Sequence, residues 1–349
     1  MTSAKPESIC LLRLSALGDV THVVPVVRTL QAAWPDTRLT WIIGRFEYKL
    51  VGDLPGVEFI QFDKRAGWRG LRELRRQLAG RRFDALLQMQ LALRANVVSA
   101  LINADLRIGY DRARAKELHG LFINRRIPAR AGQHVLDALG SFVEPLGLEQ
   151  TEVRWDIPIP AEAHAFAEQH LPGTQPTLLI SPCSSHALRN WHAAGYAAVA
   201  DHAVRRHGMR VLLCGGRSTL EREMGDAITA AMREPALDLI GRDTLKQLLA
   251  LLSRASIVLT PDSGPMHMAN SVGTPVIGLH AATSAARSGP YSDRRYCIDK
   301  YEAAARQFRG KPAQALRWGA KIEEPGVMDL IQIDEVIDAL DRYVADSTR

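Results

Sequence analysis

Three short loops hold most of the residues that could act on a phosphorylated substrate. The first is Ser15-Ala-Leu-Gly-Asp-Val20, which follows the apolar run Ile9-Cys-Leu-Leu-Arg-Leu14. Gly18 permits a tight turn or the close approach of a ligand. Asp19 has two readings: a helix cap that satisfies free backbone N–H groups, or a general base that takes a hydroxyl proton. The second loop is Thr260-Pro-Asp-Ser-Gly-Pro-Met-His-Met-Ala269. It reads as a strand end passing into a helix: Asp262 or Ser263 can cap, Pro265 suits the first turn, and Gly264 leaves the backbone open. The N–H groups and dipole of such a start attract phosphate, although an ordinary capped helix has the same pattern. His267 can bond a phosphate or simply pack. The third loop is Ser181-Pro-Cys-Ser-Ser-His-Ala-Leu-Arg-Asn-Trp191. Ser184 and Ser185 offer hydroxyls, and Arg189 offers a fork that fits phosphate bidentately. A polar loop with one arginine on its surface fits equally well.

A fourth feature is basic. Between Lys64 and Arg82 stand eight basic residues and one acid, Glu73. Leu71, Leu74 and Leu78 share one helical face, and Arg69, Arg72 and Arg76 share the opposite one. Such a row is either a solvated face or a site for an acidic substrate or anionic head groups. Arg112 and Arg114 could extend it. Several motifs are absent. There is no Asp-x-Asp to clamp a divalent metal, no phosphate-binding P-loop, and no Gly-x-Gly-x-x-Gly for a dinucleotide. No metal and no cofactor are expected, so arginine and helix starts must neutralise any diphosphate.

The elements that would position these loops alternate. Apolar runs at Ile9–Leu14, Leu39–Ile43, Val57–Phe62 and Ala85–Met89 are separated by amphipathic stretches. A second series runs through Thr177–Ser181, Arg210–Cys214, Leu237–Ile240, Ile257–Thr260 and Pro275–Leu279. This alternation predicts two doubly wound, Rossmann-like α/β domains, and ligands of such sheets bind beyond the carboxyl ends of the strands. The 349 residues suffice for two domains, and 46% apolar residues suffice for two cores. No run is long enough to span a membrane, and the start is short and polar, so a cytoplasmic protein is expected. Cys10, Cys183, Cys214 and Cys297 form no paired motif. The net charge of +6 suggests an anionic partner. Without interleaved aromatic and basic residues, that partner is not expected to be nucleic acid.

Leu14-Ser-Ala-Leu-Gly-Asp-Val-Thr-His22 resembles the opening motif of the ADP-heptose:lipopolysaccharide heptosyltransferases, glycosyltransferase family 9. Pro261-Asp-Ser-Gly-Pro-Met-His267, followed by Gly273-Thr-Pro275, resembles that family's donor-site signature. The resemblance implies a GT-B fold, with two Rossmann-like domains facing a central cleft. An acceptor domain would span 1–172 and a nucleotide-sugar domain 177–330, with a last helix at 331–349 packing back on the first domain. It implies an inverting, metal-independent transfer of heptose from ADP-heptose to the Kdo (3-deoxy-octulosonic acid) or heptose end of the lipopolysaccharide inner core. Asp19 matches the catalytic base. Asp262, Ser263, Gly264 and His267 match diphosphate and sugar contacts, and Ser184, Ser185 and Arg189 match a second phosphate loop. His134 falls where the family has a histidine. On this reading Arg69, Arg72, Arg76, Arg112, Arg114 and His134 serve the acceptor, a Kdo–lipid A type molecule. The arginine row would also touch the anionic cytoplasmic face of the inner membrane.

Lys246 departs from the pattern, since an acid that binds ribose is expected there. The segment from Cys297 to Met328 carries no motif. The rival readings are a transferase of the same fold using another nucleotide sugar, a sugar-nucleotide epimerase, and a non-catalytic relative that binds lipopolysaccharide or nucleotide.

Overall fold

The computed structural model describes residues 5–150 and 152–347. The outer ends of the expected domain spans, 1–4 and 348–349, lie outside them. The chain divides into two compact units, Met1–Pro158 and Ile159–Arg349.

The first unit runs β1 (Ser8–Leu12), α1 (Leu17–Ala33), β2 (Arg38–Gly44), α2 (Arg45–Val51), β3 (Val57–Phe62), α3 (Gly67–Gln77), β4 (Phe83–Gln88), α4 (Leu93–Ala100), β5 (Ala104–Gly109), β6 (Arg125–Arg126) and α5 (Val135–Gly140). Its sheet is ordered β3-β2-β1-β4-β5-β6, with every pairing parallel. Ile9 stands beside Leu39 on one side and Ala85 on the other. β1 is buried along its whole length, as expected of a central strand covered on both faces. α1 buries Val20, Val23, Val24, Val26, Val27 and Leu30 and packs on α5. Each such side chain contributes roughly 1.5–3 kcal/mol relative to an exposed one.

The second unit runs α6 (Ala161–His170), β7 (Thr177–Ile180), α7 (Ala193–His207), β8 (Arg210–Leu213), α8 (Thr219–Ala231), β9 (Leu237–Asp238), α9 (Leu245–Arg254), β10 (Ile257–Pro261), α10 (Gly264–Ser271), β11 (Val276–His280), α11 (Ala285–Ser288), β12 (Ile298–Asp299), α12 (Tyr301–Arg309) and α13 (Ile333–Ser347). Its order is β12-β11-β10-β7-β8-β9, again all parallel. Both sheets therefore have the same winding. The first strand of each pairs with the fourth, and the connections diverge from that junction. In the first unit the junction is β1/β4; in the second it is β7/β10. Ligands of such sheets collect at this reversal point.

Two expectations about organisation change. The boundary does not fall at the Pro172–Pro176 turn, because α6 packs on α9 and buries Ala163 and Ala167 in the second unit. The last helix, expected to pack back on the first domain, buries its apolar face within the second unit. Val336, Ala339 and Leu340 of α13 enter the core of the second unit, against α7, β11 and β12.

Candidate active site

Asp19 is the third residue of α1. Its carboxylate turns back to accept the Ala16 N–H at 3.2 Å and forms an ion pair with Arg13. The cap is thus made from the third helical position rather than from the cap residue itself. Arg13 also donates to the carbonyl oxygen of Met89, at the end of β4. Gln90 accepts the Leu14 N–H at 2.7 Å and donates to Ser15 Oγ at 3.2 Å. The loops after β1 and β4 are thus tied together at the reversal point, with Asp19 held over it. The Asp19 side chain remains 31% exposed while that of Arg13 is 11% exposed, so the carboxylate is both oriented and reachable. No sequence motif singles out Arg13. Its signal is a charged residue at the end of an otherwise apolar strand.

In the second unit, the two loops expected to bind phosphate flank the β7/β10 reversal point. Ser263 is the cap residue of α10, yet its hydroxyl lies 2.9 Å from Thr260 Oγ1 and does not cap. The first-turn N–H groups of this helix are therefore not capped by that side chain. Asp262 accepts from Ser288 Oγ at 2.9 Å, and His267 Nε2 faces its other oxygen at 3.7 Å. Burial would raise the Asp262 carboxyl, but His267 and His280 outweigh it and hold the group well below the usual carboxylate range. Asp262 is therefore a fixed negative charge.

Across the junction, the loop after β7 is built around Trp191. This side chain is buried, and its Nε1 donates to Ile331 O at 3.1 Å. Gly195 admits the Trp191 ring, since a Cβ there would come within 2.5 Å of it. Ser184 is buried; its N–H donates to Asn190 Oδ1 at 2.7 Å and its hydroxyl to His186 O at 3.0 Å, so it braces the loop. Ser185 is exposed and accepts from Arg189 Nη2 at 2.9 Å. Arg189 Nε stands 3.3 Å from Glu323 Oε1.

Glu323 belongs to the segment that carried no motif. That segment is tied to the loop after β11 by the bond from Ile322 N to Ala282 O at 2.9 Å. It brings Lys321 into the electrostatic field of Arg189, Glu323, Asp262 and Arg287. Gly319, at φ +85°, leaves space for Arg287, because a Cβ would lie 2.7 Å from its Nε. Lys321 and Arg287 thus join Arg189 around the same loops. No local pattern marks them, since they come from more than 90 residues downstream of Arg189.

The residues expected at the acceptor divide. Arg69, Arg72 and Arg76 are exposed on α3, as is Arg112 in its own loop. Arg76 pairs with Glu73 at 2.8 Å. Arg114 does not extend an exposed row. It turns inward to Asp111, to Gln133 Oε1 at 2.9 Å and to Pro128 O at 3.0 Å, so it braces its loop. His134 is buried at the cap of α5, where its Nδ1 accepts the Leu136 N–H at 3.1 Å. Its ring meets that of His22 edge-on at 5.6 Å, within the α1–α5 packing.

A further titratable group sits beyond β9. Asp243 Oδ2 is buried with no partner among the described residues, and burial pushes the carboxyl up to about 7. The folded state therefore holds this proton to higher pH than the unfolded chain does. Stability from this group falls as pH rises from about 4 to about 7 and is lowest above that window. Asp243→Asn is expected to match the wild-type melting temperature near pH 4 and exceed it by several degrees near pH 8. A difference that does not vary with pH would contradict this account.

Residues 71–316 match the profile of glycosyltransferase family 9 (heptosyltransferase). The chain is 41% identical to the lipopolysaccharide core heptosyltransferase OpsX of Haemophilus influenzae, over 95% of each chain. It is 24% identical to lipopolysaccharide heptosyltransferase 1 of Pseudomonas aeruginosa, over 81% of each. Among solved structures, it is similar to the family 9 glycosyl transferase of Veillonella parvula, with TM-score 0.79, 22% identity and 97% of each chain covered. It is also similar to E. coli heptosyltransferase WaaC with ADP, with TM-score 0.73, 17% identity and coverage of 96% and 99%. The two parallel α/β units are those of the expected GT-B fold. Matched across most of its length and strongly identical to one relative over nearly all of it, the chain belongs to glycosyltransferase family 9, the heptosyltransferases.

Proposed function

We propose that this protein transfers a heptose from ADP-heptose to the Kdo or heptose end of the lipopolysaccharide inner core, by a single inverting displacement without a metal. The observation that carries this reading is the pair of loops at the β7/β10 junction. Ser185 and Arg189 lie on one side, and the start of α10 with Asp262, Gly264 and His267 lies on the other. Together they offer a guanidinium and a helix start that the Ser263 side chain does not cap, at the reversal point where a nucleotide is bound in this architecture.

The chemistry follows from charge. As the acceptor hydroxyl attacks the anomeric carbon, its proton must leave, and the Asp19 carboxylate takes it. As the sugar–phosphate bond breaks, the departing diphosphate gains negative charge. Arg189, the start of α10 and the nearby Lys321 and Arg287 stabilise that charge in the role a metal has in other transferases. Inversion follows from attack on the face opposite the leaving group.

The test is a melting-temperature titration of the full chain with ADP, UDP and GDP, with and without EDTA. A ligand that binds only the folded state raises the transition by mass action. A rise with ADP that EDTA leaves unchanged is expected. Lys246, where an acid is expected by resemblance, favours a second reading, a different nucleotide donor. A rise confined to UDP or GDP would select that reading.

The acceptor is anionic, and α3 suits an anionic surface. Beside the arginine row, Trp68 is 85% exposed and Phe46 is 56% exposed. Both sit in the second position of helices that leave the adjacent strands β2 and β3. The pairs Lys64–Glu47 at 2.8 Å and Arg45–Asp63 at 3.0 Å join those two helix starts. We assign this edge to peripheral contact with the cytoplasmic face of the inner membrane. No helix among the described residues is long and apolar enough to cross one. With about 1 kcal/mol per basic residue near such a surface, Arg69→Ala/Arg72→Ala/Arg76→Ala is expected to weaken binding to phosphatidylglycerol vesicles about 10²-fold. Unchanged, salt-insensitive binding would contradict the assignment.

A further inference from the structure

A cluster outside the donor loops has metal-ligand chemistry. His202 and His207 lie on the second half of α7, and Asp341 lies on α13. His202 Nε2 stands 2.7 Å from Asp341 Oδ1, and His207 Nε2 stands 2.6 Å from the same oxygen. The two imidazoles meet edge-on with centroids 5.3 Å apart. All three candidate ligand atoms lie within 4.8 Å of one another. The side chains are 24%, 14% and 42% exposed, so an ion could enter and keep a water ligand.

The geometry points to a structural site for a zinc-like divalent cation, bound by His202, His207 and Asp341 and linking α13 to α7. Two imidazole nitrogens and one carboxylate oxygen select zinc, cobalt or nickel over magnesium or calcium, which prefer all-oxygen shells. Bonds of about 2.0–2.2 Å in a tetrahedral site place ligand atoms about 3.3–3.5 Å apart. The two N–O spacings of 2.7 and 2.6 Å open to that value by less than about 1 Å, within the reach of side-chain rotation. Without the ion, one carboxylate oxygen accepts from two N–H groups, so each ring carries a proton on Nε2. With it, each Nε2 presents its lone pair to the ion and each ring carries its one proton on Nδ1.

The residues joined are 134 and 139 positions apart in the chain. An ion there would fasten the last helix to the core of the second unit. α7 starts at the carboxyl end of β7 and ends just before β8, so His207 lies toward the opposite end of the sheet from Arg189 and Asp262. The site is therefore structural and takes no part in glycosyl transfer.

The test uses the EDTA-treated full chain and titrates ZnCl2, CoCl2 and MgCl2, reading calorimetry and melting temperature. One equivalent of zinc or cobalt is expected to bind. At a hundredfold excess over Kd the transition should rise by about 5–10 °C, with no effect of magnesium. His202→Gln/His207→Gln is expected to lose the saturable binding. Should that variant fold poorly, the Cu2+-loaded wild type serves instead, and its electron paramagnetic resonance should show coupling to two imidazole nitrogens. Absence of saturable zinc binding in the wild type, retention of it in the folded double variant, or a copper spectrum without that coupling would each overturn the proposal.

Discussion

Asp19→Asn is expected to lower kcat about 10²–10⁴-fold, the range a positioned general base supplies. Its melting temperature should stay close to wild type. The amide keeps the size of the side chain and can still accept the Ala16 N–H, so the turn into α1 survives. What is lost is the charge facing Arg13 and the ability to take a proton. Asp19→Ala removes the cap as well, which costs about 0.5–2 kcal/mol, and should be equally inactive but less stable. The pair of variants separates the two readings of this residue. If Asp19 only caps, Asn retains full turnover and Ala loses stability alone. Turnover of the Asn variant within tenfold of wild type would remove the base assignment.

Arg189→Ala is expected to lower kcat about 10²–10³-fold, the usual effect of deleting one preorganised group that stabilises charge developing in a transition state. It should also weaken ADP binding. Arg189→Lys should recover only part of the loss, since an ammonium cannot present the fork that pairs two phosphate oxygens. The structure adds a specific expectation. Glu323 stands 3.3 Å from Arg189, so the alanine variant removes the guanidinium facing that carboxylate and makes the proposed diphosphate site more negative. Arg189→Ala/Glu323→Gln should therefore be more active than Arg189→Ala alone. Wild-type kcat and ADP affinity in Arg189→Ala would contradict the role given to this loop.

Why some of this was legible in the sequence, and some not, has physical reasons. Central parallel strands are buried on both faces, so β1, β7 and β10 stand out as apolar runs. β5 was not anticipated. It alternates Asp105 and Arg107 with apolar neighbours and is only partly buried, and its partner β6 is two residues long. The three chemical loops were legible because each follows a strong strand directly. The domain boundary was misplaced because the Pro172–Pro176 turn has linker composition, whereas α6 is claimed by α9 on its far side. The amphipathic spacing of α13 showed that one face would be buried but not what would cover it.

Charges show the same limit. Arg114 has its partner Asp111 three residues earlier, a local signal that the row of arginines overshadowed. Lys321, Arg287 and Glu323 come near the loops after β7 and β10 through long-range packing, which spacing cannot reveal. Arg13 is visible as the charge that directly follows the buried strand β1, yet its effect on Asp19 needs the fold.

The most direct measurement is transfer itself. The purified full chain is incubated with ADP-heptose and a Kdo-terminated lipid A acceptor in the presence of EDTA, and the acceptor is followed by mass spectrometry and the new linkage by NMR. The account predicts an acceptor heavier by one heptose, one ADP released per transfer, and an anomeric configuration opposite to that of the donor. An acceptor left unchanged while ADP-heptose is present, or modified only from a UDP or GDP sugar, would contradict it.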